Sequence, residues 1–339
     1  MPVRNPGEYL RAAVQSVLEQ THQNLELLII DDRSDDGAIE HTLSQFQDAR
    51  IKVLESNGTG IVDALNYGIN NASFDIIARM DGDDICHPER LTEQLNYKHL
   101  HPDVDIVGTR VELFSDDQQV EGGYLLYQSW INRLIDHQEI EREFFIESAI
   151  PHPTALFTRK DFEGLGGYRD SSWPEDYDLW CRALLAGLKF GKPDGEPMLY
   201  WRDHSSRTSR VDERYSNGEF IKCKAYYLAK YLSGTRNIKD VCIWGAGPNG
   251  LKLHDLLAAN NIKTTNFIDV NQQLMGKCKK GIPITIIQPS SLKQTRTLKA
   301  QLSDLFCVVA VASRGAREKI REFLCGLGLE EGKNFLFAA

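Results

Sequence analysis

The chain has 339 residues, 42% of them hydrophobic and 26% charged, with a formal net charge of −9. That length suits two domains, and the composition is globular rather than disordered. No apolar run approaches bilayer-spanning length, no leader is expected, and seven scattered cysteines without a C-x-x-C pair argue against a disulfide frame or a zinc site. Reduced thiols of this kind predict a cytoplasmic protein. The charge is unevenly spread: residues 238–339 carry 14 Lys and Arg against 8 Asp and Glu, so the rest of the chain is strongly acidic. An acidic first domain argues against nucleic acid as its main partner.

In chain order, Leu10, Val14, Val17 and Leu18 recur at helical spacing between Pro6 and Gln20. Leu25–Ile30 reads as a short buried strand that ends in Asp31-Asp32. A helix over Ile39–Phe46 leads to a strand at Ile51–Leu54. A helix over Ile61–Asn70 precedes an apolar strand at 74–80. Pro88 opens a helix through Leu100, as proline does at a first helical position. Asp105–Phe114 reads as one strand, 125–150 as mostly helix, and Thr154–Thr158 as a strand. A helix begins near Asp176, a strand covers Met198–Trp201, and a helix over Glu219–Leu232 ends the first domain. Strands and helices alternating at this spacing predict a doubly wound α/β sheet, mostly parallel. Residues 234–239 are the expected linker between domain 1–233 and domain 240–339.

Three acidic constellations carry the chemistry of the first domain. The strand at 74–80 runs into Asp81-Gly82-Asp83-Asp84, which concentrates uncompensated charge at one point. A divalent cation is the natural compensation, since hard oxygen ligands suit Mg or Mn; Asp81 and Asp83 carry that expectation, while Asp84 caps as readily as it ligates. Asp31-Asp32 stands at a strand's carboxyl end, where open sheets bind ligands, or else caps the following helix. Glu175-Asp176 opens an amphipathic helix, a place the helix dipole favours for acids and from which a carboxylate can act as general base. Asp178 and Arg182 are spaced as a helical ion pair. Past Trp201, His204 is able to complete a metal shell, and Arg207 and Arg210 are able to hold diphosphate oxygens. His152 has no chemical signal of its own.

Taken together, these pieces resemble an inverting family-2 glycosyltransferase of the GT-A fold. The matching stretches are Met1-Pro-Val-Arg-Asn5, Ile30-Asp-Asp-Arg-Ser34, Asn57 to Asn66, Ala78 to Asp84, Pro88-Glu-Arg-Leu91, Gly166-Gly-Tyr-Arg169 and Glu175 to Trp180. The layout is similar to beta-1,3-N-acetylglucosaminyltransferase-like proteins with a C-terminal Rossmann-like domain. The resemblance implies a metal-dependent transfer from a nucleoside-diphosphate sugar, UDP above all, to a hydroxyl of a glycan or lipid-linked acceptor by single displacement. It implies donor contacts from Pro2, Val3, Asp31, Asp32, Asn57, Asp81 and Gly82, and a Mn or Mg ion held by Asp81, Asp83 and His204. Asp176 becomes the general base, and Glu175, Arg207 and Arg210 fall in the diphosphate or acceptor region. A lipid-linked acceptor implies peripheral association with the inner membrane face. The family's first apolar strand, expected just before the Pro-Val turn, precedes Met1 in this comparison, so a true start upstream is expected.

In the second domain, Val241-Cys-Ile-Trp runs into Gly245-Ala-Gly247-Pro-Asn-Gly250 and a helix, and Asp269 ends the next strand. That is the context a dinucleotide fingerprint requires, so NAD(P) or a nucleotide is a candidate ligand. No second half of a dehydrogenase fits in about 100 residues, and a purely structural module explains the pattern equally well. The rival to the enzyme reading is a non-catalytic nucleotide-sugar or glycan-binding scaffold.

Overall fold

The computed structural model describes residues 1–116 and 119–339. Its contacts divide the chain into unit 1, residues 1–140 and 149–215, and unit 2, residues 141–148 and 216–339. The expected boundary at 233 therefore falls inside unit 2. The reason is that the helix Asn217–Lys230 packs along the helix Pro248–Ala259, and Lys224 of the former donates to the Ile146 carbonyl at 2.7 Å. Among the described residues, no helix is long and apolar enough to cross a membrane.

The strands of unit 1 are β1 (Pro2–Val3), β2 (Leu27–Asp31), β3 (Ile51–Glu55), β4 (Ile76–Ala78), β5 (Ile85–Cys86), β6 (Ile106–Val107), β7 (Val111–Phe114), β8 (Leu156–Thr158), β9 (Phe190–Gly191) and β10 (Leu199–Arg202). They form three small sheets, β1-β2-β3, β4-β8-β6-β9 and β5-β10-β7. The first is wholly parallel; the other two are mixed, because β8 runs antiparallel to β4 and β6, and β10 antiparallel to β5. The helix Ile61–Asn70 lies where its spacing predicts and buries Val62, Ala64, Leu65 and Ile69.

Three expectations change. The strand expected over 105–114 breaks in two, since β6 and β7 belong to different sheets and Gly108 between them donates to the Gly191 carbonyl at 2.9 Å. Pro88 precedes its helix, which starts at Arg90. The acid-tipped strand is short and not buried along its length, with Phe74 41% and Ile76 37% exposed. The cause of that exposure is local. β2 and β4 are not paired with each other, and between them lies an apolar cavity of about 400 Å3 lined by Leu27, Leu28, Leu65, Ile69, Ile77 and Leu156.

Unit 2 is built on one six-stranded sheet. Its strands are β11 (Asp240–Trp244), β12 (Lys263–Asp269), β13 (Cys278–Lys279), β14 (Ile282–Ile286), β15 (Phe306–Val309) and β16 (Phe335–Phe337), in the order β13-β14-β12-β11-β15-β16. All its pairings are parallel except β13 with β14. β11, buried from Val241 to Trp244, is a continuous apolar run, as a parallel strand covered on both faces must be.

Candidate active site

The loop after β4 forms one wall of a cavity of about 670 Å3, lined among others by Asp81, Gly82, Asp83 and His204. Gly82 has no room for a side chain, because a Cβ there would lie 2.6 Å from Val3 Cγ1. That close approach locks the acidic loop against β1. Asp81, Asp83 and Asp84 offer carboxylate oxygens within 4.8 Å of one another, and each meets a different partner. Asp81 ion-pairs with the buried guanidinium of Arg79. Burial opposes the Arg79 charge, but Asp81 beside it keeps it protonated. Asp83 Oδ2 lies 2.9 Å from His204 Nε2. Burial works against the Asp83 charge, yet the His204 hydrogen bond and the nearby Arg207 hold its carboxyl below the usual range. Asp84 is turned inward: the Arg202 amide donates to Oδ1 at 2.9 Å, and the buried Oδ2 has no hydrogen-bond partner among the described residues. Burial and the charges of Asp83 and Asp81 push its carboxyl well up.

At the β1-β2 end, Pro2, Val3 and Asp32 line the same cavity. Asp32 accepts the Gly60 amide with both oxygens at 2.9 Å, and Asn5 and Asp36 tie residues 5–7 to residues 34–36. Asp31 and Asn57 are not brought to the cavity wall. The Asp31 carboxylate instead closes its turn by accepting from the Ser34 amide at 2.8 Å, and Asn57 is an exposed loop residue.

The helix Glu175–Leu185 separates its acids by depth. Asp178 is a structural group, bonded by Trp173 Nε1 at 3.1 Å and by Arg182 Nε at 2.8 Å. Asp176 is half-buried and accepts from the Tyr177 amide at 2.7 Å. Burial, and then the charge of Glu175, push its carboxyl up to about 7. Glu175 is fully buried rather than turned to an acceptor, and Tyr215 donates to its carboxylate at 2.7–2.8 Å. Beside it, His152 pairs with the Tyr168 hydroxyl at 2.7 Å, and burial together with Arg79 keeps its imidazole neutral at ordinary pH.

The segment after β10 carries the cations. Arg207 lines the cavity and stacks over Trp201 at 4.6 Å. Arg210 does not reach it: its guanidinium holds Asp203 at 2.9 Å and covers Tyr124. Arg214, unremarked in the sequence, lines the cavity instead. The sequence carries no chemical signal that singles out Tyr168, Arg214 or Tyr215 as neighbours of these acids, and His152 has none of its own. Arg79 stood two residues before a predicted metal acid, a signal that could have been used; the others meet only through contacts distant in sequence.

In unit 2, Gly245-Ala-Gly247 links β11 to its helix. A Cβ at Gly250 would lie 1.8 Å from the Gly245 carbonyl oxygen, whereas one at Gly247 would meet open space. Asp269 Oδ2 accepts the Ala246 amide at 2.8 Å and Oδ1 the Asn271 amide at 2.9 Å.

A cleft with clustered carboxylates in its wall, set in a mixed α/β unit, fits an α/β enzyme that handles phosphorylated substrates; Asp176 does not line that cleft, although the charge of Arg79 acts on both it and Asp81. Residues 1–166 match the family described as Glycosyl transferase family 2. The chain is 29% identical over 236 residues to the O-antigen biosynthesis glycosyltransferase WbnJ of Escherichia coli, a match covering 68% of this chain and 87% of that protein. It is also 29% identical over 247 residues to the bifunctional glycosyltransferase pgtA of Dictyostelium discoideum, covering 64% of this chain but only 32% of that longer protein. Among solved structures, S. aureus TarS 1-349 in complex with UDP-GlcNAc superposes with a TM-score of 0.54 at 13% identity, over 89% of this chain and 78% of that one. Residues 1–166 are a glycosyl transferase family 2 domain, and the fold is that of the GT-A glycosyltransferases.

Proposed function

We propose that unit 1 transfers a sugar from a nucleoside diphosphate, UDP in particular, to a hydroxyl of a glycan or lipid-linked acceptor, with inversion by single displacement. The observation that carries this reading is the acid cluster in the cavity wall with Arg79 behind it, whose charge reaches both Asp81 and Asp176. TarS, whose fold this chain shares, has been crystallised with UDP and with UDP-GlcNAc, which supports a uridine donor.

Three carboxylates within 4.8 Å are a hard donor set that fits Mg or Mn, and the buried Asp84 Oδ2, without a hydrogen-bond partner among the described residues, is an oxygen that a cation would complete. In this reading Asp81, Asp83 and His204 hold the ion, with Asp84 behind them. Bound there, the cation supplies charge neutralisation for the departing diphosphate. Asp32, Pro2 and Val3 face the nucleoside, and Arg207 and Arg214 balance phosphate charge. Asp176 accepts the acceptor's hydroxyl proton while the acceptor oxygen bonds to the anomeric carbon and the bond to the diphosphate oxygen breaks. A carboxyl raised to about 7 is well matched to that task at neutral pH. A lipid-linked acceptor brings the protein to the cytoplasmic membrane face.

Release of nucleoside diphosphate from a panel of nucleotide sugars, with Mn, with Mg and with EDTA, tests the reading. Turnover of a UDP-sugar that is lost with EDTA and with Asp83→Asn is expected. Turnover indifferent to both removes the metal assignment. Tight donor binding without transfer to any acceptor favours the scaffold.

A further inference from the structure

Glu175 and Asp176 are adjacent, yet they are held in opposite ways. Asp176 is half-buried and bonded by a neighbouring backbone amide. Glu175 has no exposed surface, and the Tyr215 hydroxyl donates to Oε1 and Oε2 at 2.8 and 2.7 Å. The other groups near Glu175 stand off: Arg214 Nη1 is 3.8 Å from Oε2, and the neutral His152 has Nδ1 3.9 Å from Oε1. A buried carboxylate with a phenol for its close partner keeps most of its charge unneutralised, and Asp176 is next to it. Tyr215 also ends the segment that starts at His204, whose other end rests on Asp83.

We propose that Glu175 is a positioning residue whose charge makes Asp176 a stronger base, and that the Tyr215 hydroxyl maintains that charge. The proposal rests on Asp176 being the base. The groups facing the pair fit it. Burial pushes the Glu175 carboxyl up, and the Tyr215 hydrogen bond, with Arg214 and Arg79, opposes that rise. At Asp176, burial and then Glu175 disfavour the charged form, while the Tyr177 amide and Arg79 favour it. Tyr168 and Tyr215 face both acids and stay neutral, each pushed up chiefly by burial.

The test is the pH dependence of kcat, at saturating donor, for the full chain and its Glu175→Gln, Tyr215→Phe, doubly substituted and Asp176→Asn variants. Gln keeps the shape and an oxygen for Tyr215 but removes the charge. The acidic limb should then move down by about one pH unit, with a lower plateau from the weaker base. Tyr215→Phe lets Glu175 keep its proton to higher pH, so the limb moves the same way by less. The double variant should move no further than Glu175→Gln alone, and donor KM should stay within about twofold because neither side chain lines the cavity. If Glu175→Gln folds and its limb stays in place while kcat falls, Glu175 is merely structural and the proposal is overturned. If Glu175→Gln does not fold, the Tyr215→Phe limb decides by the same criterion. Near-normal transfer by Asp176→Asn overturns the base reading itself, a distinct outcome.

Discussion

Both units end a strand near a glycine-containing loop with an aspartate at its edge, and they treat that charge in opposite ways. In unit 2, Asp269 accepts amides from two loops, Ala246 and Asn271, so its carboxylate is occupied in holding its own surroundings. In unit 1, Asp84 keeps a buried oxygen without a partner among the described residues, and burial, then the neighbouring Glu175, pushes the Asp176 carboxyl up to about 7. Unneutralised charge in a folded protein is costly, and it persists where a ligand or a proton completes it. Unit 2 thus resembles a satisfied frame, and unit 1 a site waiting for substrate.

The contrast can be broken most sharply at Asp176. Asp176→Asn should lower transfer by about 10²- to 10⁴-fold, read as sugar incorporated at saturating donor. It should not lower stability. The folded carboxyl titrates near 7 and the free one near 3.8, so ionisation penalises the fold fully above about pH 7, and the penalty disappears below 3.8. A melting temperature at pH 8 equal to or above that of the parent is expected; a clear drop would contradict the reading that burial opposes the Asp176 charge.

Two of the three fingerprint glycines sharpen the unit 2 side. Gly250→Ala places a Cβ against the Gly245 carbonyl and should cost about 3 kcal/mol in urea unfolding, whereas Gly247→Ala should cost well under 1 kcal/mol. Equal costs would mean the loop is not held as described. Titration of the full chain with NAD and NADP then asks whether the open space at Gly247 receives a ligand: no heat from either, with Gly247→Ala neutral, leaves the frame reading standing.

The sheets differ as well. Unit 2 pairs six strands without a break, while β2 and β4 of unit 1 face an apolar cavity of about 400 Å3. An apolar strand of about five residues joined ahead of Met1 should fill that cavity, raise the melting temperature by about 5 °C and raise activity. An unchanged melting temperature would show that the cavity accepts no strand. The smallest effect is expected at Asp269→Asn, which should cost about 1–2 kcal/mol by leaving an amide poorly matched, with transfer by unit 1 unaltered.

Local pattern carried much of this. The helix over 61–70 and the Asp178–Arg182 pair follow from spacing, and the strand expected over 25–30 starts two residues later, as Leu27–Asp31. Asp81 and Asp83 were readable because acids at a strand end have few structural uses. What could not be read depends on contacts far apart in the chain. Arg210 and Arg214 are both arginines in one polar stretch, and only Asp203 and Tyr124 on one side, and the cavity on the other, tell them apart. Asp31 and Asp32 are likewise equivalent on paper until the strand's alternation turns Asp32 to the cavity and leaves Asp31 to close its turn.

By itself, the sequence determined the α/β class, the acid-tipped strand and the acid-led helix, because hydrophobic period and capping chemistry act over a few residues. The tertiary structure decided which of those acids remain unsatisfied. It brought His204 to Asp83 and Tyr215 to Glu175. A carboxylate's chemistry is set by its depth and by the charges that packing places around it, and no local pattern records those.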